Sequence, residues 1–173
     1  RIVPDGINFV YVRQPAPLGL GDAVLRAKSV VGDQPFAVLL ADDIIDNPVR
    51  SCLAEMVEVY EQQQASVLAV EQVAQQDTDK YGIVSLLNNA QVQAIVEKPK
   101  PEHAPSNLAV VGRYIFTPEI FSFLEKTNVG VAGELQLTDA IAAMLASKKG
   151  YVHPFSGVRY DCGSRLGMMK ATV

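Results

Sequence analysis

Cysteine and histidine are scarce, two of each in the chain. Cys52 and Cys162 lie far apart and form no metal-type spacing. Both are expected to be reduced, which points to a cytoplasmic setting. His103 and His153 have no partner pattern, and are read as a loop and a strand histidine. No Ser-His-Asp or Cys-His nucleophile arrangement can be assembled. No apolar run approaches the ~20 residues of a membrane span, so no membrane partner is expected. Arg1 to Gly6 carry neither the apolar region nor the cleavage site of a signal peptide. The net charge is -4 with no block of like charges. Without a basic stripe, a nucleic-acid partner is not expected. Internal repeats and low-complexity tracts are absent too.

What remains is a chain of 173 residues, 49% apolar, the size of one ordinary domain with a real core. Ile7 to Val12 reads as a strand, and Asp22 to Val31 as a short helix with Asp22 a fair N-cap. Phe36 to Ala41 is a continuous apolar run that suits a buried parallel strand. Ser51 to Gln64 is an amphipathic helix with Leu53, Met56, Val57 and Tyr60 as its stripe. Ser66 to Val73 is a strand. Gly82 to Leu87 and Val92 to Glu97 form a hairpin across Asn88-Asn89. Leu108 to Phe116 is a longer strand. Pro118 opens a helix, Thr138 to Ser147 forms another, Tyr151 to Phe155 is a strand, and Gly163 begins the last helix. The alternation predicts an α/β fold: a Rossmann-like, mixed, mostly parallel sheet flanked by helices. It is expected as one domain with two lobes meeting near residue 75, residues 1–75 and 76–173. Both ends read as interiors of a longer protein.

In open α/β sheets, ligands lie beyond the carboxyl ends of strands. Asp42 and Asp43 close one strand, Glu97 and Lys98 close another, and Asp161 follows Tyr160. The plain reading of Asp42-Asp43 is a turn, and that of Asp161 a helix N-cap. Facing one edge together, the aspartates suit Mg²⁺, which wants hard oxygen ligands completed by water and phosphate. Glu97 accepts from hydroxyls and Lys98 meets phosphate, as a sugar phosphate requires, although Glu-Lys-Pro is also an ordinary solvated turn. The loop Gln14 to Gly21 admits close backbone approach to a ligand, and the Gln14 amide can both donate to and accept from a base. It equally reads as a plain helix entry.

Seven runs then occur in order: Gln14 to Ala23, Leu39-Leu40-Ala41-Asp42-Asp43, Tyr81-Gly82-Ile83-Val84, Val96-Glu97-Lys98-Pro99, Ser106 to Tyr114, Gly133-Glu134-Leu135-Gln136-Leu137-Thr138-Asp139-Ala140-Ile141, and Tyr160-Asp161-Cys162-Gly163. Together they resemble the bacterial UTP–glucose-1-phosphate uridylyltransferase (UDP-glucose pyrophosphorylase) family, over essentially the whole chain. The resemblance implies a nucleotide-diphospho-sugar transferase fold and a reaction in which UTP and glucose 1-phosphate give UDP-glucose and pyrophosphate. It implies that Gln14 and Gly19 contact uracil, that Gly82, Glu97 and Val110 hold glucose, that Lys98 meets the sugar phosphate, and that Asp42 and Asp161 hold Mg²⁺. It makes Lys98, Asp42 and Asp161 the catalytic set.

Two departures from the family bear on this. Asp22 stands where the family usually has histidine, and its charge is expected to weaken nucleotide binding mildly. The family's N-terminal strand and Gly-rich triphosphate loop have no counterpart, so the fold is expected to be incomplete at the N-terminus. The 173 residues alone are then expected to turn over little, and their open sheet edges to promote homo-oligomers. Related readings are a thymidylyl- or adenylyltransferase, or a non-catalytic sugar-nucleotide-binding module. A GT-A glycosyltransferase ranks lower, because the acidic pair is Asp-Asp rather than Asp-x-Asp.

Overall fold

The computed structural model describes residues 6–130 and 133–173. Arg1 to Asp5, part of the segment read as lacking a leader, lie outside the described residues. The strands are β1 Phe36–Leu39, β2 Asp43–Asp46, β3 Ser66–Gln72, β4 Gly82–Leu86, β5 Val92–Glu97, β6 Leu108–Phe116, β7 Gly150–Pro154 and β8 Val158–Asp161. The helices are α1 Leu20–Arg26, α2 Lys28–Val31, α3 Cys52–Gln63, α4 Ile120–Leu124, α5 Leu137–Leu145 and α6 Arg165–Ala171.

Strands β3 and β6 are apolar almost throughout because both faces of the sheet are covered. Leu68 and Val70 of β3, with Val110, Tyr114 and Phe116 of β6, pack beneath α1, α4 and α5. The alternate residues Val67, Ala69, Val111 and Ile115 pack on the other face against Cys52 and Met56 of α3. This period-2 division between two cores is the strand pleat at work, and the result is a helix–sheet–helix sandwich. Ser51 caps α3 by accepting from the Ala54 N–H at 3.3 Å, which satisfies a donor the helix start would orphan. Burial pushes the Cys52 thiol up to about 11, and both cysteines are free.

The sheet has six strands, ordered β5-β4-β6-β3-β7, with β1 also on β6. Among the described residues only the β3–β7 pair is parallel neighbour to neighbour; the other ladders are antiparallel. Four strands, β1, β3, β4 and β7, still point one way, and β5 and β6 run against them. The mixed, mostly parallel sheet flanked by helices is borne out in that sense.

Several local expectations need correction. Ile7 to Val12 forms no strand; among the described residues nothing pairs with it, and Ile7, Phe9, Val10, Tyr11 and Val12 are exposed. A strand-like composition makes a strand only where an edge accepts it. Residues 36–41 are not a buried parallel strand: β1 is four residues long, antiparallel to β6 and half-exposed. Asp22 is not an N-cap, since α1 starts at Leu20 behind Gly19, and the helix breaks at Ala27 before α2. Asp161 does not cap α6 either. Ser164 does, accepting from the Gly167 N–H. Helix α4 starts at Ile120, two residues past Pro118. Val57 leaves the α3 stripe and is exposed. His153 has a partner after all, Glu55 Oε2 at 2.9 Å, which ties β7 to α3.

Candidate functional site

The site arises from a gap in the ladder. β3 occupies one edge of β6 along most of its length. β1 and β4 therefore lie end to end on the other edge, β1 opposite residues 113–116 and β4 opposite Ala109. Between them Val110, Val111 and Gly112 face no strand on that edge. A cavity of about 260 Å³ opens there, bordered by Asp42, Gly82, Glu97, Thr138 and Asp161 among others.

Gly112 is where the chain leaving β1 comes closest. Its carbonyl accepts from Leu40 and its N–H donates to Asp43 Oδ2 at 2.6 Å. A Cβ there would stand 2.8 Å from both Asp43 Oδ2 and Leu40 Cβ, closer than side chains pack. Only glycine admits the turn that carries Asp42 to the cavity.

From that turn β2 runs into an antiparallel ribbon with β8, pairing Asp43 with Asp161 and Ile45 with Arg159. Sequence reasoning missed this ribbon. Two aspartates directly opposite would repel. Arg159 offsets this: its Nε donates to Asp43 Oδ1 at 2.5 Å and its Nη1 to Glu71 Oε1 at 2.6 Å, with the guanidinium 5.3 Å from the Tyr81 ring centroid. Burial is the largest single influence and works against the guanidinium's charge, but the bonds to Asp43 and Tyr81 and the charges of Asp43 and Glu71 together outweigh it, so Arg159 stays ionised. Arg113 braces the same corner through the carbonyls of Leu40, Gly112 and Asp43.

Asp43 is thus consumed by structure, while Asp42 and Asp161 remain at the cavity. The Cys162 N–H donates to the Asp42 carbonyl at 2.7 Å, which clamps the two segments together. A Cβ on Gly163 would lie 3.1 Å from Asp161 Oδ1 and 3.3 Å from Asp42 Oδ2. The two carboxylates therefore converge on a space that glycine leaves open. Hard oxygen ligands in this arrangement fit a Mg²⁺ ion that draws its remaining ligands from water and phosphate. Among the described residues, no group of three or more acidic, histidine or cysteine side chains forms a closed metal cage.

At the other end, Thr138 donates to Glu97 Oε2 at 2.6 Å, and Gly82 pairs with Glu97 across the hairpin, where a Cβ would stand 3.4 Å from that same carboxylate oxygen. Glu97 is held in place through Oε2, while its second oxygen, Oε1, faces the Lys98 ammonium at 3.8 Å. Thr138 stands in the first turn of α5, whose N-cap has no side-chain bond; its hydroxyl serves Glu97 instead. Tyr114 lies buried in the cavity wall, and burial, with Glu97 and Asp43 nearby, pushes its hydroxyl well above its usual range.

Of the candidates read from sequence, Asp42, Asp161, Gly82, Glu97 and Val110 meet at one cavity. Lys98 stands outside its lining: its Nζ is 3.8 Å from Glu97 Oε1 and mostly in solvent. Its backbone has φ 43, uncommon for a side-chain-bearing residue, and its N–H donates to the Tyr81 carbonyl. Such strain gathers at functional sites. Lys80, which drew no notice in the sequence, does line the cavity and pairs with Asp77 at 2.6 Å. Gln14 and Gly19 also stand outside the lining but beside it, since Leu20 belongs to the wall. They bond to each other, Gln14 Nε2 to the Gly19 carbonyl at 3.1 Å.

Known proteins are similar to this chain in sequence and fold. A UTP–glucose-1-phosphate uridylyltransferase 2 of Streptococcus pyogenes serotype M3 is 44% identical over 175 residues, covering 96% of this chain and 58% of the relative. The Pseudomonas aeruginosa UTP–glucose-1-phosphate uridylyltransferase is 43% identical over 99% of this chain and 63% of its own length. A crystal structure of UDP-glucose pyrophosphorylase complexed with UDP-glucose superposes with a TM-score of 0.90 at 43% identity, covering 95% of this chain and 64% of that one. The chain thus spans about three-fifths of the length of the curated relatives it matches. A family model described as nucleotidyl transferase matches residues 4–172, and the chain belongs to the nucleotidyl transferase family.

Proposed function

We propose that this chain carries the sugar and metal portion of a uridylyltransferase site, serving the reaction of UTP with glucose 1-phosphate to give UDP-glucose and pyrophosphate. One observation carries the reading. A single cavity presents a tethered carboxylate, Glu97, at one end and the converging pair Asp42 and Asp161 at the other. That is the polarity of a ligand with hydroxyls at one end and phosphates at the other.

In this reading an oxygen of the glucose 1-phosphate phosphoryl group attacks the α-phosphorus of UTP. A new P–O bond forms, the α–β P–O bond breaks, and pyrophosphate leaves with the electron pair. The protein's part is placement and charge. Glu97, fixed by Thr138, accepts hydrogen bonds from the glucose hydroxyls and sets the sugar's orientation. Gly82 leaves room for the ring, and Val110 borders it from the open stretch of β6. Lys98, on the rim beside Glu97, supplies positive charge to the sugar phosphate. Gln14 and Gly19 meet the base across the Leu20 wall. Asp42 and Asp161 would hold Mg²⁺, which when bound neutralises phosphate charge and orients the reacting groups.

Calorimetric titration of UDP-glucose, dTDP-glucose and ADP-glucose into the chain with Mg²⁺ tests the reading. UDP-glucose is expected to bind best. Equal or tighter binding of dTDP-glucose would move the assignment to a thymidylyltransferase, and tighter ADP-glucose to an adenylyltransferase. Failure of a folded chain to bind any of them would remove it.

A further inference from the structure

Gln14 leads into the loop before α1, and its side chain is held in an unusually determinate way. Nε2 donates to the Gly19 carbonyl at 3.1 Å and to Asp22 Oδ2 at 2.8 Å. A carbonyl and a carboxylate only accept. Both hydrogens of the amide nitrogen are therefore in use, and the nitrogen must face these partners. The usual ambiguity between amide oxygen and nitrogen is removed by the chemistry around it. Oε1 is turned away from both partners, and no donor among the described residues reaches it.

Asp22 is equipped to keep this arrangement. It is 7% exposed. Arg26, one helical turn on, donates to its carboxylate through Nε at 3.2 Å and Nη2 at 3.1 Å. The Arg26 bond first, and the Gln14 bond next, hold its carboxyl below the usual range. An ionised carboxylate cannot donate, so it cannot turn the Gln14 amide around. Arg26 also balances the charge, which removes the ground for expecting Asp22 to weaken nucleotide binding.

We propose that Asp22 is a positioning residue that fixes Gln14 as a pure acceptor, and that this acceptor selects pyrimidines bearing a ring N3–H over cytosine. The inference rests on the proposed function, in which Gln14 meets the base. Uracil offers N3–H to Oε1. Cytosine offers a bare N3 lone pair at the same place, so two acceptors face each other and neither is satisfied. An amide free to rotate would accommodate both bases by presenting Oε1 or Nε2 as needed. Asp22 denies that freedom.

The test is calorimetric titration of UDP-glucose and CDP-glucose, with Mg²⁺, into the full chain and into Asp22→Asn. The asparagine keeps the size but can donate to Gln14 Oε1, which removes the stronger, charged restraint on the amide and leaves the Gly19 carbonyl alone. The chain is expected to prefer UDP-glucose by about 10- to 100-fold, the cost of facing an unsatisfied pair. In Asp22→Asn the preference is expected to fall to within about threefold. Loss of fold would weaken both ligands together and leave the ratio where it was, so the ratio separates positioning from stability. Gln14→Leu, which leaves the Asp22–Arg26 pair intact, is expected to lose the preference as well, and it decides the matter if Asp22→Asn does not fold. An unchanged ratio in folded Asp22→Asn, or a retained ratio in Gln14→Leu, overturns the inference. UDP-glucose binding by the unsubstituted chain without base preference overturns it alone. Absence of UDP-glucose binding overturns the functional reading with it.

Discussion

Replacing Arg159 with methionine is expected to destabilise the fold by about 3–5 kcal/mol, the usual cost of leaving a buried charge without its partner. For a chain of this size that lowers the melting temperature by roughly 6–20 °C. The side chains of Arg159 and Asp43 are only 11% and 6% exposed. Without the guanidinium, Asp43 keeps the Gly112 N–H but faces Asp161 across the ribbon with its charge uncompensated. Methionine fills similar space, so the loss is electrostatic rather than a cavity. Arg159→Met combined with Asp43→Asn is expected to recover part of it, because asparagine still accepts from Gly112 and carries no charge. Thermal unfolding of the two single variants and the double variant gives the coupling directly. Strict additivity of the two substitutions would show that the pair does not brace the ribbon.

The second large effect is expected on metal dependence. Asp161→Asn removes one of the two charges converging at Gly163 while sparing the fold. Asp161 Oδ1 accepts from the Gly163 N–H at 3.0 Å, and an asparagine oxygen can do the same. Stability is therefore expected to change little. The stimulation of UDP-glucose binding by Mg²⁺ is expected to fall on the order of 100-fold, since a two-carboxylate site that loses one charge holds the ion poorly. Asp42→Asn is expected to act alike. A Mg²⁺ titration followed calorimetrically in the presence of UDP-glucose measures this. Unaltered Mg²⁺ stimulation in either variant would exclude the aspartate pair as the metal site.

These two effects divide along a line that also separates what could be read from the sequence. β3 and β6 were legible because burial on both faces writes a continuous apolar run, and α3 because Ser51 marks its start. The hairpin was legible because its strands flank a local turn: Asn88 Oδ1 accepts from the N–H groups of Ala90 and Gln91. Ile7 to Val12 has the same composition as a strand and is not one, because pairing depends on a neighbour and not on the segment. The β2–β8 ribbon failed for a related reason. Asp-Ile-Ile-Asp and Val-Arg-Tyr-Asp are too short and too charged to declare themselves. What joins them is an ion pair between residues 116 positions apart.

The candidate site divides in the same way. Asp42, Glu97 and Asp161 stand at the ends of strand-like runs, where side chains with ligand chemistry are worth noticing, and the structure brings them to one cavity. Arg159, two residues before Asp161, carries no sequence signal that sets it apart from a surface cation. Its importance lies in Asp43, Glu71 and Tyr81, which only the folded chain assembles. Asp22 was misread in the opposite sense. Its composition suits a cap, but the Gly19 turn starts the helix earlier and leaves the carboxylate free for Arg26 and Gln14.

The most direct measurement of the central claim compares UDP-glucose with UDP, each titrated calorimetrically with Mg²⁺ into the chain and into Glu97→Ala. If the cavity is the sugar end of the site, UDP-glucose outbinds UDP in the unsubstituted chain. Glu97→Ala then removes that advantage, about tenfold or more for a charged acceptor of sugar hydroxyls, and leaves UDP affinity unchanged. An advantage that survives in Glu97→Ala, or a loss that falls equally on UDP, would contradict the account.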